Sequence, residues 1–308
     1  MSGPVGGGGE ARMSRAHWWM LAGLTFAWGF NWTAIKVALE DFTPWIFRSL
    51  CLSFGALLLF AIARLSRQSL RVPRGMWGRL WLLGFFNVTC WNMLIAYGLM
   101  MIPSGRAAIL AFTMPVWSVP LSAWMLGEPI TRRKLVALAL GVAGMLLLLG
   151  EEVASLGRAP LGALLALTAA LTWAIGTVLQ KRLPTGLPTG AFTAWTMLLG
   201  GVPVFVGTAL FEWGAWRPVG PAALGALAYN VVIAFAFAYW AWFRIAAAVP
   251  VAVSSISVLL VPIVGVVCGM LFLGEKPSVA EFLALLLVVA AVLAINLRRG
   301  GAPPQPTT

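Results

Sequence analysis

Polar material is scarce in this chain. Charged residues make up 10% of its 308 positions against 61% hydrophobic ones, and its mean hydropathy is +0.92. That leaves too little polar surface to cover a soluble core, so lipid must serve as part of the solvent. Histidine occurs once and cysteine three times. Cys51, Cys90 and Cys268 fall in separate apolar stretches without CxxC spacing, which reads as small buried hydrophobes rather than a redox pair or metal ligands. Carboxylates are also few and badly placed for a central proton relay, because Glu128, Glu275 and Glu281 all lie near the ends of apolar runs. A membrane enzyme would need several interfacial His, Asp or Glu groups, and an ATP-driven pump a GxxxxGK[ST] loop. Neither is present; the glycine run at 6–9 has no lysine after it. No catalytic residue, cofactor or metal is expected.

Long hydrophobic runs are what the chain has in abundance. A spanning helix takes about 20 mostly apolar residues, and ten such stretches fall near 18–38, 45–63, 80–100, 104–126, 135–150, 161–180, 190–211, 220–243, 250–273 and 279–297. Continuous runs such as LVALALGVAGMLLLL at 135–149 exclude the alternating strands of a barrel, and helices satisfy their own backbone groups in lipid. Trp28, Asn31, Trp32 and Lys36 interrupt the first stretch, which argues against a cleaved signal. The formal charge of +12 is topological. Arg64, Arg67, Arg71, Arg74, Arg79, Arg132, Arg133, Lys134, Lys181 and Arg182 fall in loops on the side of the amino terminus, while the opposite loops hold only Arg158, Arg217 and Lys276. Both termini are therefore expected in the cytoplasm, with basic loops against anionic lipid and no nucleic-acid partner.

The chain repeats itself. IPSGRAAILAFTMPVWSVPLSAWMLGEP at 102–129 returns 147 positions later as VPVAVSSISVLLVPIVGVVCGMLFLGEK, so Pro115 falls on Pro262 and Glu128 on Glu275. TFAWGFNWTAIK at 25–36 lies over ALTWAIGTVLQK at 170–181, matching Trp28 with Trp173 and Lys36 with Lys181. Each half holds five spans, and an odd number turns the second half upside down relative to the first. The expected fold is an all-α integral membrane protein of ten transmembrane helices in two inverted five-helix repeats. Its parts are a tail at 1–16, repeats at 17–150 and 161–297, an outer linker at 151–160 and a tail at 298–308.

With Trp28 and Gly29 leading to Lys36, and WMLGEP at 124–129 and LFLGEK at 271–276 each following a helix with a central proline, the chain resembles the drug/metabolite transporter superfamily and its EamA-type ten-helix members. The resemblance runs from about residue 17 to 297. It implies a multi-pass bacterial inner-membrane exporter of a small metabolite or amino acid, with the third, fourth, eighth and ninth helices around a central path and the first and sixth contributing. Uptake or exchange of a small organic solute is the alternative, with a channel or membrane enzyme behind it. A monomer or weak homodimer is expected.

Candidate site residues follow from polar and aromatic groups within spans. Trp28, Asn31 and Trp32 share the first span with Lys36, which a Glu40 four residues on would satisfy. On the third, Asn87, Trp91 and Asn92 form a polar strip, open to reading as solute contacts or as interhelical glue. On the fourth, Arg106 could meet a solute anion or snorkel to the interface, and Thr113 and Trp117 flank Pro115. The second half offers Tyr229, Asn230, Ser254, Ser255 and Ser257, where hydroxyls serve a polar solute or simple packing. Pro115 and Pro262 are the expected helix breaks, each removing one intrahelical bond, and matched breaks in inverted repeats commonly line a solute site. Alternating access by rocking of the two halves is the expected mechanism. Trp18, Trp19, Trp45, Trp77, Trp81, Trp213 and Trp216 read instead as an interface belt.

Overall fold

The computed structural model describes residues 15–154, 160–241 and 251–296, with side chains given for all of these except 17, 115, 152–154, 251–259 and 295–296. Residues 1–14 of the first expected tail, all of the last one and 155–159 of the linker fall outside it. The described residues are helical throughout, with no strand among them. In chain order the helices are α1 (Arg15–Asp41), α2 (Pro44–Leu65), α3 (Trp77–Leu99), α4 (Ser104–Leu126), α5 (Arg132–Ala154), α6 (Leu161–Arg182), α7 (Thr189–Glu212), α8 (Pro221–Ala241), α9 (Val251–Leu273) and α10 (Val279–Asn296).

Among the described residues, seven helices, α2 to α8, are long and apolar enough to cross a membrane, and shorter apolar stretches occupy Leu260–Leu273 of α9 and Val279–Ala294 of α10. Although α1 runs 27 residues, Asn31, Lys36 and its tryptophans dilute its hydropathy. Leu57, Leu146, Leu210, Leu271 and Leu286 stand exposed on the outside of the bundle, which suits lipid and would be costly in water. The protein is a multi-pass membrane protein.

Packing is orderly. α1 lies along α9 and α6 along α4, while α2 packs on α7 and α5 on α10; α3 meets α6 and α7, and α8 meets α1 and α2. Small residues allow the closest of these crossings. A Cβ on Gly84 of α3 would stand 2.7 Å from the Thr196 carbonyl oxygen and 2.9 Å from the Gly200 nitrogen of α7, so backbone meets backbone there.

The bundle has two polar ends. At one, Asp41 accepts from the Gly220 N–H at 2.7 Å and Glu212 from the Ile46 N–H at 3.1 Å. At the other, Arg79 donates to the Pro184 carbonyl and the Trp195 indole to the Leu70 carbonyl, both at 2.9 Å. These are called the Asp41 end and the Arg79 end below.

Candidate functional site

The interior of the bundle is lined by indoles. Trp32 of α1, Trp91 of α3 and Trp173 of α6 form a chain, with ring centroids 6.4 Å apart for the first pair and 4.9 Å for the second. Trp28 turns to the other side of α1, where its indole donates to the Ala234 carbonyl at 3.2 Å and meets Tyr239 edge-on at 5.8 Å. Tyr229 of α8 donates its hydroxyl to the Ala27 carbonyl at 2.8 Å and packs edge-on against Phe30. The expected residues of α1, α3 and α8 are thus neighbours in space.

Both α3 and α8 widen where their polar residues lie. Residues Phe85–Cys90 and Tyr229–Phe237 are wound as π-helix, a winding frequent at functional sites because it displaces backbone groups from the regular ladder. Asn92 and Asn230 use their amide nitrogens on the carbonyls one turn back, Val88 at 2.8 Å and Ala226 at 3.0 Å. Sequence reading found the asparagines but not the widened turns, which have no composition signal of their own.

Several of these side chains carry a buried polar atom with no partner among the described residues: Oδ1 of Asn31, Asn87 and Asn230, and Nε1 of Trp117. Buried polar groups are nearly always bonded, so these four atoms, on α1, α3, α4 and α8, keep hydrogen-bonding capacity that the described residues leave unused. A concavity of ≈ 240 Å³ at the Arg79 end, lined by Gln180, Leu183, Thr189 and Phe192, includes none of them.

Helix α4 is broken and α9 is not. The backbone leaves the helix at Phe112 and Thr113 and resumes at Met114 with Pro115 in the first turn. Thr113 returns its hydroxyl to the Leu110 carbonyl at 2.6 Å, so the side chain takes an acceptor that the ladder would otherwise use. Pro262 instead sits inside an uninterrupted Val251–Leu273 helix, which corrects the expectation of a matched break. The position equivalent to Thr113 is Leu260, which has no hydroxyl to compete. Ser254 and Ser257 lie on this helix, but their side chains are outside the described residues.

The duplicated Gly-Glu pair is a helix stop. Gly127 and Gly274 adopt φ of 66° and 65°, a left-handed conformation that costs glycine little. The next N–H reaches back six residues, Glu128 to the Ser122 carbonyl at 3.3 Å and Glu275 to Gly269 at 3.1 Å, as in a Schellman cap. Identical caps throw the two carboxylates in different directions. Glu275 crosses to the start of α4, accepting from the Ser104 N–H at 2.7 Å, the Ser104 hydroxyl at 3.0 Å and the Gly105 N–H at 3.2 Å, with the Lys36 ammonium at 3.2 Å. A carboxylate at a helix N-terminus meets unpaired N–H groups and the positive end of the dipole. Lys36 also donates to the Ile102 carbonyl at 2.9 Å. Its partner is therefore Glu275 and not the Glu40 expected from i,i+4 spacing.

Glu128 pairs within its own loop, taking Lys134 at 3.0 Å and, more loosely, Lys181 of α6 at 3.4 Å. The side chains of Lys181 and Glu128 are 61% and 34% exposed, against 30% and 12% for Lys36 and Glu275. Burial pushes the Glu275 carboxyl up, yet the backbone N–H groups of Ser104 and Gly105, with Lys36, outweigh it and hold the group below its ordinary value. Glu128 is also held low, chiefly by the Lys134 hydrogen bond.

Arg106 completes the Asp41 end. Its Nε donates to Glu281 at 2.5 Å and its Nη2 to Glu151 at 2.7 Å, and Ser278 ties the two acids together through bonds of 3.0 Å to Glu151 and 3.1 Å to Glu281. The guanidinium thus meets protein carboxylates rather than the interface. None of these carboxylate partners was legible in sequence, although the Lys36/Lys181 and Glu128/Glu275 correspondences were.

The EamA-like transporter family model matches residues 16–150 and 160–297. The uncharacterized transporter YoaV of Bacillus subtilis is 26% identical over 270 residues, covering 87% of this chain and 92% of its own. A protein named as a probable amino-acid metabolite efflux pump of Escherichia coli is 25% identical over 292 residues, covering 91% and 94%. A solved crystal structure superimposes with a TM-score of 0.65 at 21% identity, over 92% of this chain and 97% of the other, and so shares the fold. The chain belongs to the EamA-like transporter family of the drug/metabolite transporter superfamily.

Proposed function

We propose that this protein is a secondary transporter that moves a small metabolite or amino acid out of the cell across a bacterial inner membrane by alternating access. Two inverted five-helix halves, 17–150 and 161–297, would rock about the tryptophan and asparagine region, with the Asp41 end outside and both termini in the cytoplasm. The observation that carries this reading is the unequal fate of the two Gly-Glu caps. In an inverted pair, Lys36 with Glu275 and Lys181 with Glu128 are the same contact at opposite ends. One is engaged with a helix N-terminus and the other is loose, as expected when a carrier is closed on one side and open on the other.

Two further facts support it. The helix pairings are unchanged when each helix is exchanged for its counterpart five places on: α1 with α9 becomes α6 with α4, and α2 with α7 becomes itself. Outward movement is supported by the Escherichia coli relative named as a probable amino-acid metabolite efflux pump.

Reconstituted protein is expected to give saturable flux of a metabolite mixture, measured by mass spectrometry of vesicle contents with and without a pH gradient. Flux proportional to concentration without saturation would indicate a channel, and no flux of any component would overturn transport.

A further inference from the structure

Two arginines enter the bundle from the Asp41 end, and they are treated differently. Arg106 is neutralised by Glu151 and Glu281. Arg48 stands one turn into α2, is 2% exposed, and among the described residues has neither a carboxylate nor a hydrogen-bond acceptor; its Nε is buried without a partner. Among the described residues the Phe47 ring is drawn up to it, with the centroid 5.2 Å from the guanidinium carbon, and the buried Cys51 thiol is its ionisable neighbour on the same helix. The nearby acids are committed to backbone, Glu212 to the Ile46 N–H and Asp41 to the Gly220 N–H. Removing a cation from water costs far more than an aromatic face returns. Nor does the side chain reach for water, although α2 begins only four residues earlier at Pro44 and an extended arginine can snorkel that far. A guanidinium buried to this degree with its Nε unpartnered has hydrogen-bonding capacity left for an anion from outside the chain.

Its direction can be read from the helix face. Arg48, Leu52 and Gly55 follow one another at helical spacing, and a Cβ on Gly55 would lie 3.1 Å from the Met197 sulfur of α7 and 3.3 Å from Phe235 of α8. Two turns from that contact toward the Asp41 end stands Arg48. Displaced toward the same end of α8 is Asn230, fully buried with its Oδ1 unpartnered. A solute between these helices would find a cation on one wall and a free acceptor on the other.

We infer that Arg48 anchors the carboxylate of the transported solute. The inference rests on the transporter reading and narrows it to solutes bearing one carboxylate. The planar guanidinium matches the two oxygens of a carboxylate through a bidentate pair. One fork balances one negative charge; a phosphate dianion would keep an uncompensated charge in a medium of low dielectric.

The test uses the full chain, purified and reconstituted, as wild type, Arg48→Met and Arg48→Lys. The probes are the neutral L-amino acids, their amides, which keep the ammonium and lack the carboxylate, and glycerol phosphate as the dianion. One or more amino acids should raise the melting temperature of the wild type and show saturable flux, while the matching amides and glycerol phosphate do neither. Arg48→Met should abolish the shift and lower that flux at least a hundredfold while the empty protein melts no lower than wild type, since an unpaired buried charge has been removed. Arg48→Lys should keep a weaker shift. The inference is overturned if Arg48→Met retains the shift, or if it melts lower or fails to fold, which would give Arg48 a structural partner. It is equally overturned if the wild type responds to the amides or to glycerol phosphate as strongly as to the acids. Wild-type stabilisation by a carboxylate that is lost in Arg48→Met, without flux of any solute, would sustain the anchor and sink the transporter reading instead.

Discussion

The Gly-Glu turns after α4 and α9 are the same sentence of sequence with two meanings. Each ends its helix with a left-handed glycine and a six-residue return bond, so their local physics is equal. At Glu275 the carboxylate adds two backbone N–H groups, a hydroxyl and an ammonium from distant parts of the chain. At Glu128 it adds two lysines, Lys134 six residues away and 24% exposed, and Lys181 at 61% exposed. Local structure therefore sets where each carboxylate starts, and tertiary packing decides what it holds. The difference teaches that a duplicated motif can make a buried contact at one site and an exposed one at the other.

The comparison can be broken most forcefully at Arg106. Arg106→Met would leave Glu281 and Glu151 facing each other with only Ser278 between them, and loss of one partner from a buried ion cluster costs about 3–5 kcal/mol. A fall in melting temperature is expected. Next in size is Glu275→Gln, which removes charge-assisted bonds of roughly 1.5–3 kcal/mol each, partly replaced by the amide. In protein whose three native cysteines are replaced, a cysteine at Ile102, buried in the wild type, should then react with a water-soluble maleimide about 100-fold faster. Glu128→Gln at the exposed pair should change that rate by no more than about threefold, since such pairs contribute about 0–1 kcal/mol. Equal effects of the two substitutions would erase the distinction.

Acid should sharpen it. A carboxylate held below its ordinary value contributes fully above the unfolded pKa of about 4.3 and is lost as pH falls through the depressed folded value. Labelling at position 102, taken relative to a fully exposed cysteine at the same pH because the reactive thiolate grows scarce in acid, is therefore expected to stay low from neutral pH down to the ordinary glutamate range and to rise below it, with Glu275→Gln high throughout. The smallest effect belongs to the break in α4. Thr113→Val removes the hydroxyl that competes for the Leu110 carbonyl and should cost about 1 kcal/mol or less, with flux reduced less than tenfold at unchanged expression.

How much could be read beforehand varies with the range of the interaction. Apolar runs, the duplication, the tryptophans at 28, 32 and 91 and the stop at Gly127 are properties of a residue and its near neighbours, and sequence carries them. Lys36 shows where this ends. Its local partner Glu40 satisfies the i,i+4 rule, yet the chain pairs it with Glu275, 239 residues away, because α1 lies along α9. Pro115 and Pro262 look alike as letters, and only the threonine two residues before the first separates a broken helix from a continuous one. Arg48 gave no signal at all: an arginine near the start of a helix ordinarily reaches for the interface, and its burial is a fact of packing.

The interruption at Phe112–Thr113 sets the scale of movement that gating would require. The segment from Ser104 to Ala111 is eight residues, a lever about 12 Å long at 1.5 Å per residue. Swinging its tip by about 4 Å needs only some 20° of rotation at the joint, while Met114–Leu126 stays seated on α6. All but Arg106 of that arm is buried, so such a swing would break apolar contact, but over one short arm rather than along a whole helix.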